Sequence, residues 1–317
     1  MKGRAMQIQL AVNVKLVFLI LMMFCRVDAF SQTIKAIRIN SESFNSPNYT
    51  LTKYNLDMKP LYNLDLQVIT YNIIFAENEN NYERIVLVSI LPDYDTGEQW
   101  GEVDTLKEKF QDVSLTDLQA LFVSNVGYVN ENMTNVERKY YNEYHVIVEN
   151  NGKLYKSNNC LLELFDIKFV DPIIPSTYGQ LNLKDSALKI SEYLDFFSKY
   201  YPNYNPALSG YIDNSKKLNY REWWRFWKNY LSGTIRINND IGYQFWTTSF
   251  DNSNHNLDFS RGVERLIYMP GKGIVAGSYD FYFKPLFETN GDGDVFNYLF
   301  FRNMVEEKVA LASELAL

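Results

Sequence analysis

Residues 64–75 and 84–91 are two long runs dominated by Ile, Val and Tyr, side chains that suit a pleated, half-buried surface better than a helix. They commit the first half of the chain to strands. Residues 33–40 add a weak alternation. Residues 144–148 and 153–155 flank Asn151-Gly152, a hairpin signal, because both turn residues tolerate positive φ. Residues 103–123 break the pattern. Leu106, Phe110, Val113, Leu118, Leu121 and Phe122 fit helical spacing and predict two short helices.

The strand pattern stops at Asp171-Pro172-Ile173-Ile174-Pro175-Ser176. Each proline biases its predecessor to extended backbone and keeps a helix from crossing. Past this point residues 183–201 predict a helix with Leu188, Tyr193, Phe196, Phe197 and Tyr200 among its apolar positions and Pro202 as its stop. Residues 220–231 predict a second helix. Residues 233–250 read as a hairpin around Asn238-Asn239-Asp240, and residues 263–269 and 274–284 as another around Pro270-Gly271-Lys272-Gly273. Residues 295–317 predict a closing helix with Phe301, Met304, Val305, Val309, Ala312 and Leu315 as its stripe. The expected class is α+β, with a strand-rich antiparallel first half and a mixed helix and hairpin second half. The expected division is a leader over 1–31, a strand-rich domain over 32–170, a linker over 171–180 and an α+β domain over 181–317.

The N-terminus predicts export. Lys2, Arg4 and Lys15 precede an unbroken apolar run from Leu16 to Cys25, and Ala29 and Ser31 occupy the −3 and −1 positions of a cut before Gln32. A positive start, a short apolar centre and small residues before the cut make a secretory signal peptide. Met23 and Phe24 ahead of Cys25 are too large for lipoprotein processing, so a free protein is expected, periplasmic or extracellular. No transmembrane segment is expected after cleavage. Residues 295–317 carry Arg302, Glu306, Glu307, Lys308 and Glu314, which are costly in lipid.

Removing Lys2, Arg4, Lys15, Arg26 and Asp28 moves the net charge from −7 to −10. Phosphate backbones need a basic footprint, so a nucleic-acid partner is not expected. Cys160 is then the one remaining cysteine; it sits in the apolar run Cys160–Phe165 and reads as a buried, inert thiol.

Most chemical motifs fail on spacing. Two histidines, His145 and His255, are too few for a helical zinc site, and His145 falls in a predicted strand. The loop from Asp251 to Asp258 joins His255 to two carboxylates, so Asp251, His255 and Asp258 are the catalytic candidates. Ser186 and Lys189 match the S-x-x-K spacing of penicillin-recognising enzymes, but no K-T-G follows. Asp95-Thr96-Gly97 matches the aspartic-protease triplet once, where two carboxylates are needed, and reads as a turn. Gly271-Lys272-Gly273 lacks the rest of a phosphate loop. Asn290, Asp292 and Asp294 place oxygens at alternate positions and are the candidate calcium ligands, although Val295 and Phe301 depart from the EF-hand pattern. No other cofactor is called for.

The most unusual segment runs from Tyr220 to Leu231. On a helix Tyr220, Trp223, Trp224, Trp227 and Leu231 share one face, while Arg221, Arg225 and Lys228 share another. Buried, this is a core helix; exposed, it is an aromatic platform with a cationic rim. Trp223, Trp224, Trp227, Arg221 and Arg225 are therefore the candidate ligand contacts for a glycan or a protein partner. The reading as a whole is an exported binding protein for a glycan, peptide or protein, leaning away from catalysis. The alternative is an exported, glycosidase-like hydrolase, since paired carboxylates can do that chemistry without a sequence motif.

Overall fold

The computed structural model describes residues 33–39, 49–77, 82–105, 107–124, 138–171, 178–200, 229–247, 262–283, 299–300 and 302–315. In chain order these form β1 (Thr33–Ile37), β2 (Tyr49–Asp57), α1 (Lys59–Tyr62), β3 (Gln67–Glu77), β4 (Tyr82–Leu91), β5 (Trp100–Glu102), β6 (Lys109–Asp112), α2 (Leu115–Ser124), β7 (Lys139–Tyr141), β8 (Tyr144–Asn150), β9 (Lys153–Ser157) and β10 (Asn159–Lys168). Then follow β11 (Gln180–Asn182), α3 (Ile190–Tyr200), β12 (Asn229–Ile237), β13 (Asp240–Thr247), β14 (Arg265–Met269), β15 (Gly273–Gly277) and β16 (Ala310–Leu311).

The strands make three sheets. The first has the order β5-β9-β8-β1-β6, the middle β11-β10-β4-β3-β2 with β7 also on β10, and the third β12-β13-β14-β15-β16. Pairing is antiparallel except that β1 runs parallel to both β6 and β8, and β11 runs parallel to β10. The described residues are strand-rich with mainly antiparallel sheets, compatible with the expected α+β class, while the expected mixed helix and hairpin second half is not confirmed.

Strand periodicity explains the layering. Along β4, Ile85, Leu87 and Leu91 point into one core and Val86, Val88 and Ile90 into the other. β10 divides likewise: Leu161, Phe165 and Ile167 face one core, and Cys160, Leu162 and Leu164 the second. A strand covered on both faces reads as a continuous apolar run, which is why these segments show little alternation. One core lies against the first sheet, where Ile37, Val146 and the α2 residues Leu118 and Phe122 join it. The other lies against the third sheet, where Leu231, Phe245, Leu266 and Val275 join it. Side chains from both sides of residues 171–180 thus pack into one cluster.

Local signals hold in several places. The β8–β9 turn has Asn151 at φ 53° and Gly152 at φ 74°, the positive pair that a tight two-residue hairpin requires. β12 and β13 pair around Asn238, and β14 and β15 pair around residues 270–272, as two hairpins. Ser114 and Asp117 start α2 reciprocally: the Ser114 N–H and hydroxyl donate to the Asp117 carboxylate at 2.9 and 2.7 Å, and the Asp117 N–H donates back to the Ser114 oxygen at 3.2 Å.

Three expected helices are corrected, and a fourth, over 220–231, at its end only, since residues 220–228 lie outside the described residues. Residues 109–112 are the strand β6, paired in register with β1, so residues 103–123 yield one helix rather than two. Residues 183–189 are not helical; the Leu188 N–H instead donates to the Leu231 carbonyl at 2.8 Å, and α3 begins at Ile190. Residues 229–231 open β12 and pair with Thr247, Trp246 and Phe245. Residues 302–305 are helical, but Glu307 turns left-handed at φ 52° and the chain continues as β16. In each case pairing with a sheet partner distant in sequence overrides helical spacing.

The C-terminal segment ties the layers together. The Ala312 N–H donates to the Val275 carbonyl, the Ser313 N–H to the Asn55 carbonyl, and the Asn303 amide to the Leu61 carbonyl. No helix among the described residues is long and apolar enough to cross a membrane.

Candidate functional site

On the middle-sheet face that meets the third sheet, the apolar surface is interrupted by polar residues in adjacent rows. Thr70 pairs with Ser89, which pairs with Leu161; Asn72 pairs with Leu87, which pairs with Glu163. Thr70, Ser89, Asn72 and Glu163 are all buried. Opposite them the third sheet brings Glu264, Arg265, Ser278 and Asp280, also buried. Buried polar groups need internal partners, and most find them across this seam.

Asp280 is the hub. Arg265 forks onto it, with one Nη 2.7 Å from Oδ2 and the other 3.0 Å from Oδ1. The Tyr62 hydroxyl donates to Oδ1 at 2.8 Å and accepts the Tyr279 N–H at 3.0 Å, so α1 is bolted to the helical residues 280–283. The Arg265 Nε reaches the Lys308 carbonyl at 2.8 Å. Glu163 accepts the Tyr178 hydroxyl at 2.6 Å and the Val263 N–H at 3.1 Å. The Lys139 ammonium lies 3.9 Å from the centre of the Tyr178 ring. Tyr279 and Ser89 share a hydroxyl–hydroxyl bond of 2.7 Å. Glu264 accepts the Asp280 N–H on Oε2 at 2.8 Å, while its buried Oε1 has no partner among the described residues.

Burial pushes the Glu264 carboxyl well above the usual range, and the nearby Asp280 charge pushes it further; Arg265 and Lys139 oppose both. Burial likewise raises Glu163, against Lys139 and the donors Tyr178 and Val263. Chemically the seam sets a carboxyl that favours its neutral form, Glu264, beside a second carboxyl, Asp280, gripped by a guanidinium fork. Two acids in unlike surroundings are also what paired-carboxylate hydrolysis uses. Here, however, both oxygens of Asp280 and both of Glu163 accept internal donors.

A second cluster lies at the first sheet. His145 Nδ1 is 2.8 Å from the Ser157 carbonyl and 3.3 Å from the Ser157 hydroxyl. A ring nitrogen that close to a carbonyl carries the hydrogen and donates, so it cannot take a proton from Ser157. The Ser157 oxygen in turn accepts the Val146 N–H at 3.1 Å. Burial lowers the His145 pKa, and it pushes the Cys160 thiol up to about 12, which leaves that sulfur unreactive. The group is a satisfied structural set rather than a nucleophile and its base.

Asp95-Thr96-Gly97 is a turn: Asp93 Oδ1 accepts the Asp95 and Thr96 N–H groups, each at 3.0 Å. Ser186 and Lys189 are both exposed and lie ahead of α3, so the serine has no helix N-terminus to attack from. Among the described residues no group of three or more His, Cys, Asp or Glu side chains is placed to hold a metal ion. Trp223, Trp224, Trp227, Arg221, Arg225, Asp251, His255, Asp258, Asn290, Asp292 and Asp294 lie outside the described residues.

Glu163, Glu264, Arg265 and Asp280 were not singled out by motif. A signal existed in two of the runs: Glu163 interrupts Cys160–Phe165, and Glu264-Arg265 sit together between Val263 and Leu266. Charges in the middle of apolar strands need paired partners. Their partners could not be named, because Tyr62 and Asp280 are remote in sequence.

No protein-family model, curated protein or solved structure matches the chain.

Proposed function

We propose that the chain is an exported, non-catalytic binding protein of the envelope or the extracellular space, taking a glycan, peptide or protein ligand. The observation that carries this reading is that the acids gathered by the fold are committed inward. Asp280 is held by Arg265, Tyr62 and Ser278, and Glu163 by Tyr178 and Val263, all at the seam between two sheets. Such a seam braces layers. The binding role then falls to Trp223, Trp224, Trp227, Arg221 and Arg225, which immediately precede β12 in the sequence. Export is supported by the leader-like first residues, with β1 starting at Thr33, one residue past the expected cut before Gln32.

The hydrolase reading is favoured by a separate observation, the hydrogen bond that the backbone N–H of a second acid, Asp280, donates to the raised Glu264 carboxyl. One experiment separates the two. The chain is screened on glycan and peptide arrays and, in parallel, against chromogenic glycosides, together with Trp224→Ala, Trp227→Ala and Glu264→Gln. The binding reading expects ligand retention that the Trp variants weaken and Glu264→Gln preserves, with no turnover. Turnover abolished by Glu264→Gln overturns it in favour of the hydrolase.

A further inference from the structure

The seam between the middle and third sheets carries an unequal set of charges. Its carboxyls are Glu163, Glu264 and Asp280, and the cations acting on them are Arg265 and Lys139. Arg265 is taken by Asp280 through the fork of 2.7 and 3.0 Å. Lys139 stands over Tyr178, whose hydroxyl donates to Glu163. Among the described residues Glu264 is left without a cation of its own. Its residue is 4 % exposed, and among those residues Oε1 meets no hydrogen-bond partner. An unpaired carboxylate buried in this way is far more costly than the neutral acid, so the group holds a proton when the seam is closed.

We propose that Glu264 is a proton-operated latch: it is protonated in the closed protein, and loss of that proton parts the third sheet from the middle sheet around Val263–Arg265. The groups that face it are Asp280, Arg265 and Tyr279 from its own side of the seam, Lys139 from β7, Tyr178 from the turn before β11, and Tyr62 from α1, while Glu163 of β10 holds the neighbouring Val263 N–H. Burial holds the three tyrosines above their usual range, so they stay neutral while the carboxyls titrate.

The direction follows from linkage. The folded chain holds a proton that an unfolded Glu, with a pKa of about 4.3, has already released. The folding constant therefore falls about tenfold per pH unit from that value up to the folded-state pKa, and the loss is complete above it. The stabilising proton belongs to the acid side, opposite in sense to a carboxylate lowered by a salt bridge.

Urea unfolding of the full chain from about pH 5 to about pH 9 tests this. The wild type should lose stability as pH rises, Glu264→Gln should remove most of that fall, and Glu163→Gln, whose less raised carboxyl adds a smaller share, should keep most of it. Equal slopes for wild type and Glu264→Gln overturn the proposal. Hydrogen exchange on the wild type supplies the location. With rising pH, protection should drop first at Val263–Arg265 and Asp280 while β1 and β8 keep theirs; simultaneous loss in all three sheets overturns a local latch. If Glu264→Gln fails to fold, the wild-type infrared spectrum decides. A protonated-carboxyl carbonyl band must vanish in step with the seam's protection, and its absence at every pH sinks the idea.

Discussion

Gly262 has φ +82°, and a Cβ built there would fall on the Glu163 Oε1 and 2.9 Å from the Tyr178 hydroxyl. The glycine is what lets the chain pass close enough for the Val263 N–H to reach the Glu163 carboxylate. Gly152 has a similar φ of +74° but nothing within 4 Å. The two positions separate backbone strain from crowding. Gly152→Ala should cost about 1 kcal/mol, the left-handed penalty alone. Gly262→Ala should cost about 3 kcal/mol, because the seam must also shift to admit the methyl. Paired urea titrations measure the difference. Equal losses would mean that the glycine's closeness to Glu163 is unimportant to stability.

At the scale of elements, α3 begins where two carboxylates meet it. Glu192, in its own first turn, accepts the Lys189 N–H at 2.9 Å, and Glu307, from the C-terminal segment, accepts the Ile190 N–H at 2.6 Å. Acidic groups at a helix start satisfy open N–H groups and complement the dipole. Glu307 also accepts the Ser232 hydroxyl of β12, and its carbonyl accepts the Gln244 amide of β13 at 2.6 Å. One residue thus joins α3, the third sheet and the C-terminal segment. Beside this junction Tyr193 packs edge-on to Trp246 at 5.3 Å, and Tyr230 stacks on Trp246 at 4.5 Å. Glu307→Ala should cost about 2 kcal/mol and raise hydrogen exchange across Ile190–Tyr193. Glu306→Ala, next door and paired with Lys308 at the surface, should leave stability unchanged. Matching losses for the two would remove the capping role of Glu307.

For the whole molecule, the sharpest question is whether residues 171–180 separate two folding units. The core beneath the third sheet mixes Leu161 and Phe165 with Leu231, Phe245 and Leu266. Polar ties cross the same seam from Tyr62, Ser89 and Glu163 to Asp280, Tyr279 and Val263. Burial of that much shared apolar surface makes the parts hold each other without a covalent link. A protease site placed within residues 172–177 and cut in the folded protein should leave two fragments that co-elute on size exclusion and unfold in one transition. Fragments that separate and melt independently would support the division at 171–180.

The strands over 67–77, 82–91 and 144–157, and the three hairpin turns, were legible because each is set by local preference: branched and aromatic runs for extended chain, Asn and Gly for positive φ. The inert Cys160 was legible from its apolar neighbours. Sites that depend on pairing were not. Residues 109–112 carry helical spacing yet lie beside β1, and residues 310–311 close a sheet begun at β12, because free energy there comes from partners far along the chain. The division of β3, β4 and β10 between two cores is likewise invisible in a run that is apolar on both faces. The seam is the extreme case. Glu163, Glu264, Arg265 and Asp280 are ordinary charges in the sequence, and only packing two sheets face to face brings them together, buries them and leaves one carboxyl without a cation among the described residues.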